Sequence, residues 1–167
     1  MLFGNPNVFA IEAELLEVYG KWKYGRLRFW IGGNMIGDWD DTSDLATSAR
    51  WGRTFLTSSD RRTRVDLDNL SPADVYELLY GRFVEPVNSQ SIKAWPGAWD
   101  RDPYIIDEVG ESALRDRFAV LVVRKFDGID RIIVNYFDEE RLSETLAPPN
   151  ICDHVIETYC TWVENQK

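Results

Sequence analysis

The stretch Leu27–Trp39, LRFWIGGNMIGDW, constrains this chain's architecture more than any other segment. Over Tyr24–Ile31, the apolar residues Leu27, Phe29 and Ile31 alternate with Arg26, Arg28 and Trp30. That is the two-residue period of a strand with one buried face. Gly32-Gly33-Asn34 tolerates positive φ and supplies a turn, and Met35-Ile36 begins the return strand. The chain then enters Trp39-Asp40-Asp41. A hairpin of this kind demands antiparallel pairing and needs no cofactor.

Other segments repeat the message. Val8–Val18 is expected as a first strand, with Phe9, Ile11, Ala13 and Leu15 on one face and Ala10, Glu12 and Glu14 on the other. Phe118–Phe126 is apolar throughout, as for a central strand buried on both faces. Asp127-Gly128 turns it into a partner whose faces are Ile129, Arg131, Ile133, Asn135 and Phe137 against Asp130, Ile132, Val134 and Tyr136. Tyr104–Val109 and Leu142–Leu146 read as further strands, and Pro148-Pro149 stops pairing.

Helix signals are fewer. Thr42 or Ser43 is placed to cap a helix whose face is Leu45, Ala49, Gly52 and Leu56, although Thr54–Thr57 also fits a short strand. Ser58–Arg64 reads as a polar connection. Ser71-Pro72-Ala73-Asp74 is a strong helix start, with Val75, Leu78 and Leu79 behind it and Gly81 as the stop. Asn150 is expected to cap a terminal helix with Asp153 in its first turn; Ile151, Val155, Tyr159, Trp162 and Val163 form its apolar stripe. Asn88–Arg101 has no stable period and reads as a loop. The expected fold is one α+β domain over residues 1–167: a mainly antiparallel sheet with two or three helices, the C-terminal one packed on the sheet. Two hairpins disfavour a doubly wound parallel sheet.

Composition narrows the function. Nineteen basic residues against twenty-eight acidic ones give a net charge of −9, a field that repels nucleic acid and anionic membranes and favours encounter with a basic protein or a cationic ligand. Asp38, Asp40, Asp41 and Asp44 lie together, and Arg50, Arg53, Arg61, Arg62 and Arg64 follow. The two blocks either pair with each other or form separate patches. MLFGNPNVFAIEAE is not a secretory signal, and no eighteen-residue apolar window suggests a membrane span. Asn69-Leu70-Ser71 matches a glycosylation acceptor only incidentally. The expected setting is intracellular and reduced.

Reaction chemistry is sparse. His154, the single histidine, stands beside Asp153 and Cys152 at consecutive helical positions that diverge, and Cys160 completes no metal-ligand pattern with them. Asp38 and Asp40 would share a face of an extended segment, with Asp41 opposed, which closes no metal shell; Asp66 and Asp68 pose the same question. Gly32-Gly33 and Gly37 make no phosphate-binding fingerprint, and Arg61-Arg62-Thr63-Arg64 is short for a nucleic-acid site. No catalytic residue, cofactor or metal site is therefore assigned. A binding surface is easier to build: Trp39 is an apolar anchor within the acidic rim of Asp38, Asp40 and Asp41, and Trp95 and Trp99 beside Asp100 and Asp102 offer a second edge. The contrary reading packs all three tryptophans inside.

FGNPNVFAIEAEL followed by YGRLRFWIGGNMIGDWD resembles immunity protein family 42 of bacterial polymorphic-toxin systems. DRFAVLVVRKFDGIDRIIVNYFD and the terminal helix continue the likeness, and residues 60–99 carry least of it. The resemblance implies a cytoplasmic protein, not an enzyme, that binds a cognate toxin and blocks its activity. The acidic aromatic edge would then occlude a basic toxin surface, such as the substrate face of a nuclease. The alternatives are a small hydrolase using cleft carboxylates and a noninhibitory protein-interaction domain.

Overall fold

The computed structural model describes residues 1–81, 103–110 and 112–167. A first sheet is built almost in chain order from β1 (Leu2–Asn5), β2 (Phe9–Tyr19), β3 (Trp22–Ile31) and β4 (Asn34–Ile36), all antiparallel. β5 (Ser43–Asp44) pairs with Tyr24 and Gly25 of β3. The alternation anticipated for β2 and β3 holds: Phe9, Ile11, Ala13, Leu27, Phe29 and Ile31 are buried together. Gly32 (φ 57°) and Gly33 (φ 82°) make the turn between β3 and β4 in the left-handed region that glycine favours. β1 gave no sequence signal, being only four residues long. Its Phe3 ring lies 5.9 Å from Tyr159 and 5.5 Å from Trp162.

A second sheet runs β6 (Phe118–Arg124), β7 (Asp130–Tyr136), β8 (Arg141–Ala147), again antiparallel. β6 is buried on both faces, as its composition required. Val120 and Val122 face the main core, while Leu121 and Val123 face a smaller cluster with Leu67, Val75, Leu79 and Ile133. Phe126, beyond the strand end, is 79% exposed.

Helices α1 (Leu45–Thr57) and α4 (Ile151–Glu164) pack on each other and on the first sheet, so the C-terminal helix docks where expected. Two short helices, α2 (Pro72–Tyr76) and α3 (Ser112–Arg117), complete the described α+β fold. Ser71 caps α2 by accepting from the Asp74 N–H. α3 was not anticipated.

Several local expectations are corrected. The α1 cap is Asp44 rather than Thr42 or Ser43, because the Asp44 carboxylate accepts from the Ala46 N–H. The buried face of α1 is Leu45, Ser48, Ala49, Gly52 and Phe55; Leu56 is only partly buried. Asn150 precedes α4 with left-handed backbone (φ 61°) and makes no side-chain cap. Tyr104–Val109 is not a strand. It makes a two-bond patch, Ile106 N–H to Val120 O and Val122 N–H to Tyr104 O, and then turns into a 3-10 helix at Asp107–Val109. Arg62, placed in a polar connection by its type, is fully buried. The expected loop Asn88–Arg101 lies outside the described residues.

Candidate functional site

The solvent face of the first sheet is set by the same alternation that builds its core. Arg26, Arg28 and Trp30 point away from the buried row, and across the ladder Glu14 stands opposite Arg26 and Glu12 opposite Arg28. Glu12 accepts from Arg28 Nε at 2.8 Å and from Trp30 Nε1 at 2.8 Å. Partial burial works to raise the Glu12 pKa, yet these two donors outweigh it and hold the carboxyl below its ordinary value. The Arg28 guanidinium lies 5.2 Å from the Trp30 ring and 4.5 Å from the Trp39 ring, between the two indoles. Met35, opposite Trp30, is half exposed and its sulfur contacts Arg28 Nη1 at 2.7 Å.

Trp39 is half-buried, with the Arg28 cation over its ring. Its segment, from Gly37 to Thr42, is turn and irregular backbone, not the extended chain assumed for Asp38, Asp40 and Asp41. The Asp38 carboxylate accepts from the Asp40 N–H at 2.9 Å, and the Asp41 carboxylate from the Thr42 N–H at 3.0 Å. These are local turn-forming bonds. Asp44 leaves the patch to serve as the α1 cap, accepting also from Thr47 Oγ1 at 2.6 Å.

Three arginines of the basic block pair outside the acidic block. Arg53 pairs with Glu157 and Glu164, Arg62 with Asp153, and Arg64 with Asp66. Among the described residues, Asp40 and Asp41 form no ion pair. Trp95, Trp99, Asp100 and Asp102, the second edge suggested by the sequence, lie outside the described residues.

Folding adds two tryptophans that the sequence did not single out. A cleft of ≈ 320 Å³ beside β5 is lined by Trp22, Thr42, Asp44, Trp51, Glu108 and Arg115, among others. Trp22 and Trp51 are each 42% exposed. Thr42 follows directly on the acidic segment, so the cleft continues that surface. Only the polar face of α1, on which Trp51 breaks the pattern, carried a hint of it.

The remaining chemical candidates are dispersed. Cys152 and Cys160 are buried, and burial pushes the Cys152 thiol well up and the Cys160 thiol to about 12, so neither is a ready thiolate at neutral pH. His154 sits on the exposed side of α4. Asp66 pairs with Arg64, while Asp68 accepts from the Phe126 N–H. Among the described residues, no three His, Cys, Asp or Glu side chains converge to hold a metal ion, and no helix is long and apolar enough to cross a membrane. What the arrangement offers is a charged, aromatic contact surface.

A protein-family model described as Immunity protein 42 matches residues 1–162. No curated protein matches the chain. The crystal structure of CdiI from Burkholderia dolosa AUO158 superposes with a TM-score of 0.70 at 18% identity, covering 97% of this chain and 99% of that one; at this identity the likeness speaks for the fold.

Proposed function

This chain belongs to the immunity protein 42 family, and from that membership we propose that its Trp39-centred acidic surface docks on the toxin it neutralises. Its role is that of a toxin-neutralising immunity protein, an inhibitor rather than an enzyme. The observation that carries the proposed site is the unspent charge at Asp40 and Asp41. Arg53, Arg62 and Arg64 pair elsewhere, and among the described residues Asp40 and Asp41 have no ion pair beside a partly buried indole. Such a surface attracts a basic protein patch and can bury an aromatic anchor against it. Trp95, Trp99 and Asp100 are proposed as a second contact edge. Inhibition follows by occlusion: a basic toxin face covered by this surface is closed to its own substrate. The cytoplasm, where a cell is exposed to its own toxin, is the proposed place of action.

The test is titration of the adjacent-gene toxin's catalytic domain with the purified chain, reading binding and residual toxin activity together. Stoichiometric binding with activity lost supports the reading. Binding unaffected by Trp39→Ala and Asp40→Lys, in folded variants, would remove this surface from the interface.

A further inference from the structure

Among the described residues, no strand pairs with the outer side of β8, the last strand of the second sheet. Across the β6–β7 turn the Lys125 N–H donates to Ile129 O at 2.9 Å, which assigns the odd-numbered residues of β7 to bonding with β6. Alternation then turns the backbone groups of Asp130, Ile132, Val134 and Tyr136 toward β8, where they face Ala147, Thr145, Ser143 and Arg141. The N–H and C=O groups of Leu142, Glu144 and Leu146 consequently point out of the sheet. No hydrogen bond from another described residue reaches them.

The other edges are protected. β1 has four residues and holds Gly4 at φ 95°. β4 and β5 have three and two residues, with the 37–42 segment between them. The outer side of β6 is bonded to Tyr104, Ile106 and Arg64. β8, by contrast, runs for seven residues in unbroken register, without proline, lysine or bulge. Proteins ordinarily blunt such an edge, since it is a template for a further strand.

We propose that β8 is a strand-addition site for the toxin, which contributes an extended basic segment that pairs with Leu142–Leu146. This inference rests on the toxin-binding reading above. Charge selects the occupant. Asp138, Glu139 and Glu140 lead into the strand; Arg117 and Arg141 answer the first two, and Glu140 has no ion pair among the described residues. A second copy of the chain is disfavoured, because two molecules of net charge −9 repel. On the incoming strand, apolar side chains would lie beside Leu142 and the 58% exposed Leu146, and polar ones beside Ser143 and Thr145.

Hydrogen exchange on the free chain and on its complex with the adjacent-gene toxin domain tests this. Strand addition slows exchange of the outward Leu142, Glu144 and Leu146 amides at least about tenfold. Leu146→Pro removes an outward N–H without breaking a β7–β8 bond, and should raise Kd about ten- to a hundredfold with the circular dichroism spectrum unchanged. Leu146→Val keeps the N–H and should leave Kd within about threefold. A neutralised complex with unprotected Leu142, Glu144 and Leu146 amides and a normal Leu146→Pro affinity would overturn strand addition while leaving the acidic-loop reading intact. Failure of the unmodified chain to bind would overturn both. Protection without toxin, with concentration-dependent dimers, would replace the toxin by a second copy.

Discussion

The Arg28 guanidinium rests 4.5 Å from the centre of the Trp39 ring. This contact joins an irregular acidic segment to a regular strand. Arg28 is held in turn by Glu12 and flanked by Trp30, so the position of Trp39 is inherited from the β2–β3 ladder. A loop anchored in this way presents its indole with part of the ordering cost already met before any partner arrives.

Trp39→Ala and Asp40→Lys should separate by kinetics. Removing a buried anchor speeds toxin dissociation, about thirtyfold for a hot spot of about 2 kcal/mol. Reversing the Asp40 charge slows association and flattens its salt dependence, with little change in dissociation. Trp39→Ala also costs about 0.5–1 kcal/mol of folding stability, through the lost contact with Arg28. Stopped-flow binding at two ionic strengths and urea unfolding measure all three effects.

Glu12 should make part of the stability acid-sensitive. Its pKa is depressed in the folded chain from an ordinary value of 4.5, so its contribution is complete at neutral pH and is lost as pH falls below about that value, through the folded pKa. Glu12→Gln should therefore be less stable than the parent at pH 7, and the gap should narrow steadily toward pH 3. A gap independent of pH would show that the carboxylate charge is not what Arg28 and Trp30 hold.

Gly52 should reject a side chain despite lying in a helix. A Cβ there would meet Cys160 Sγ at 2.6 Å and Ile156 Cγ2 at 3.1 Å. The gain in helix propensity from Gly52→Ala is about 1 kcal/mol, and overpacking costs about 1–3 kcal/mol, so a net loss is expected. Combining it with Cys160→Ala should recover part of that loss, a coupling visible in a double-mutant cycle of urea midpoints.

Arg62 should be the most costly of these positions. Its side chain is fully buried, donates to Phe55 O at 2.6 Å and pairs with Asp153, which Arg124 also binds. Burial pulls its pKa below the usual arginine value, with Asp153 opposing. Arg62→Ala should cost about 3–5 kcal/mol in chemical denaturation, since it opens a cavity and strips one cation from Asp153. Arg62→Met should cost less, because it refills the space against Phe55.

The sequence by itself determined the antiparallel ladders and the terminal helix. Their signals are local: Phe9, Ile11 and Ala13 beside Leu27, Phe29 and Ile31, glycines where positive φ is needed, and the stripe from Val155 to Val163. Period and turn chemistry act over a few residues, so they can be read without knowing the fold. Only the tertiary structure decided that Asp44 caps α1, that Arg62 goes inside, and that Tyr104–Val109 stops after two bonds. It also decided which acids the arginines pair with. Arg53 and Arg62 look like partners for Asp40 and Asp41 by proximity in the chain, yet they pair with Glu157, Glu164 and Asp153 of α4. Trp22 and Trp51 line one cleft, and β8 has no outer partner strand among the described residues, for the same reason. Charge pairing, exposure and edge position depend on which distant segments arrive, and that is settled by long-range packing rather than by local pattern.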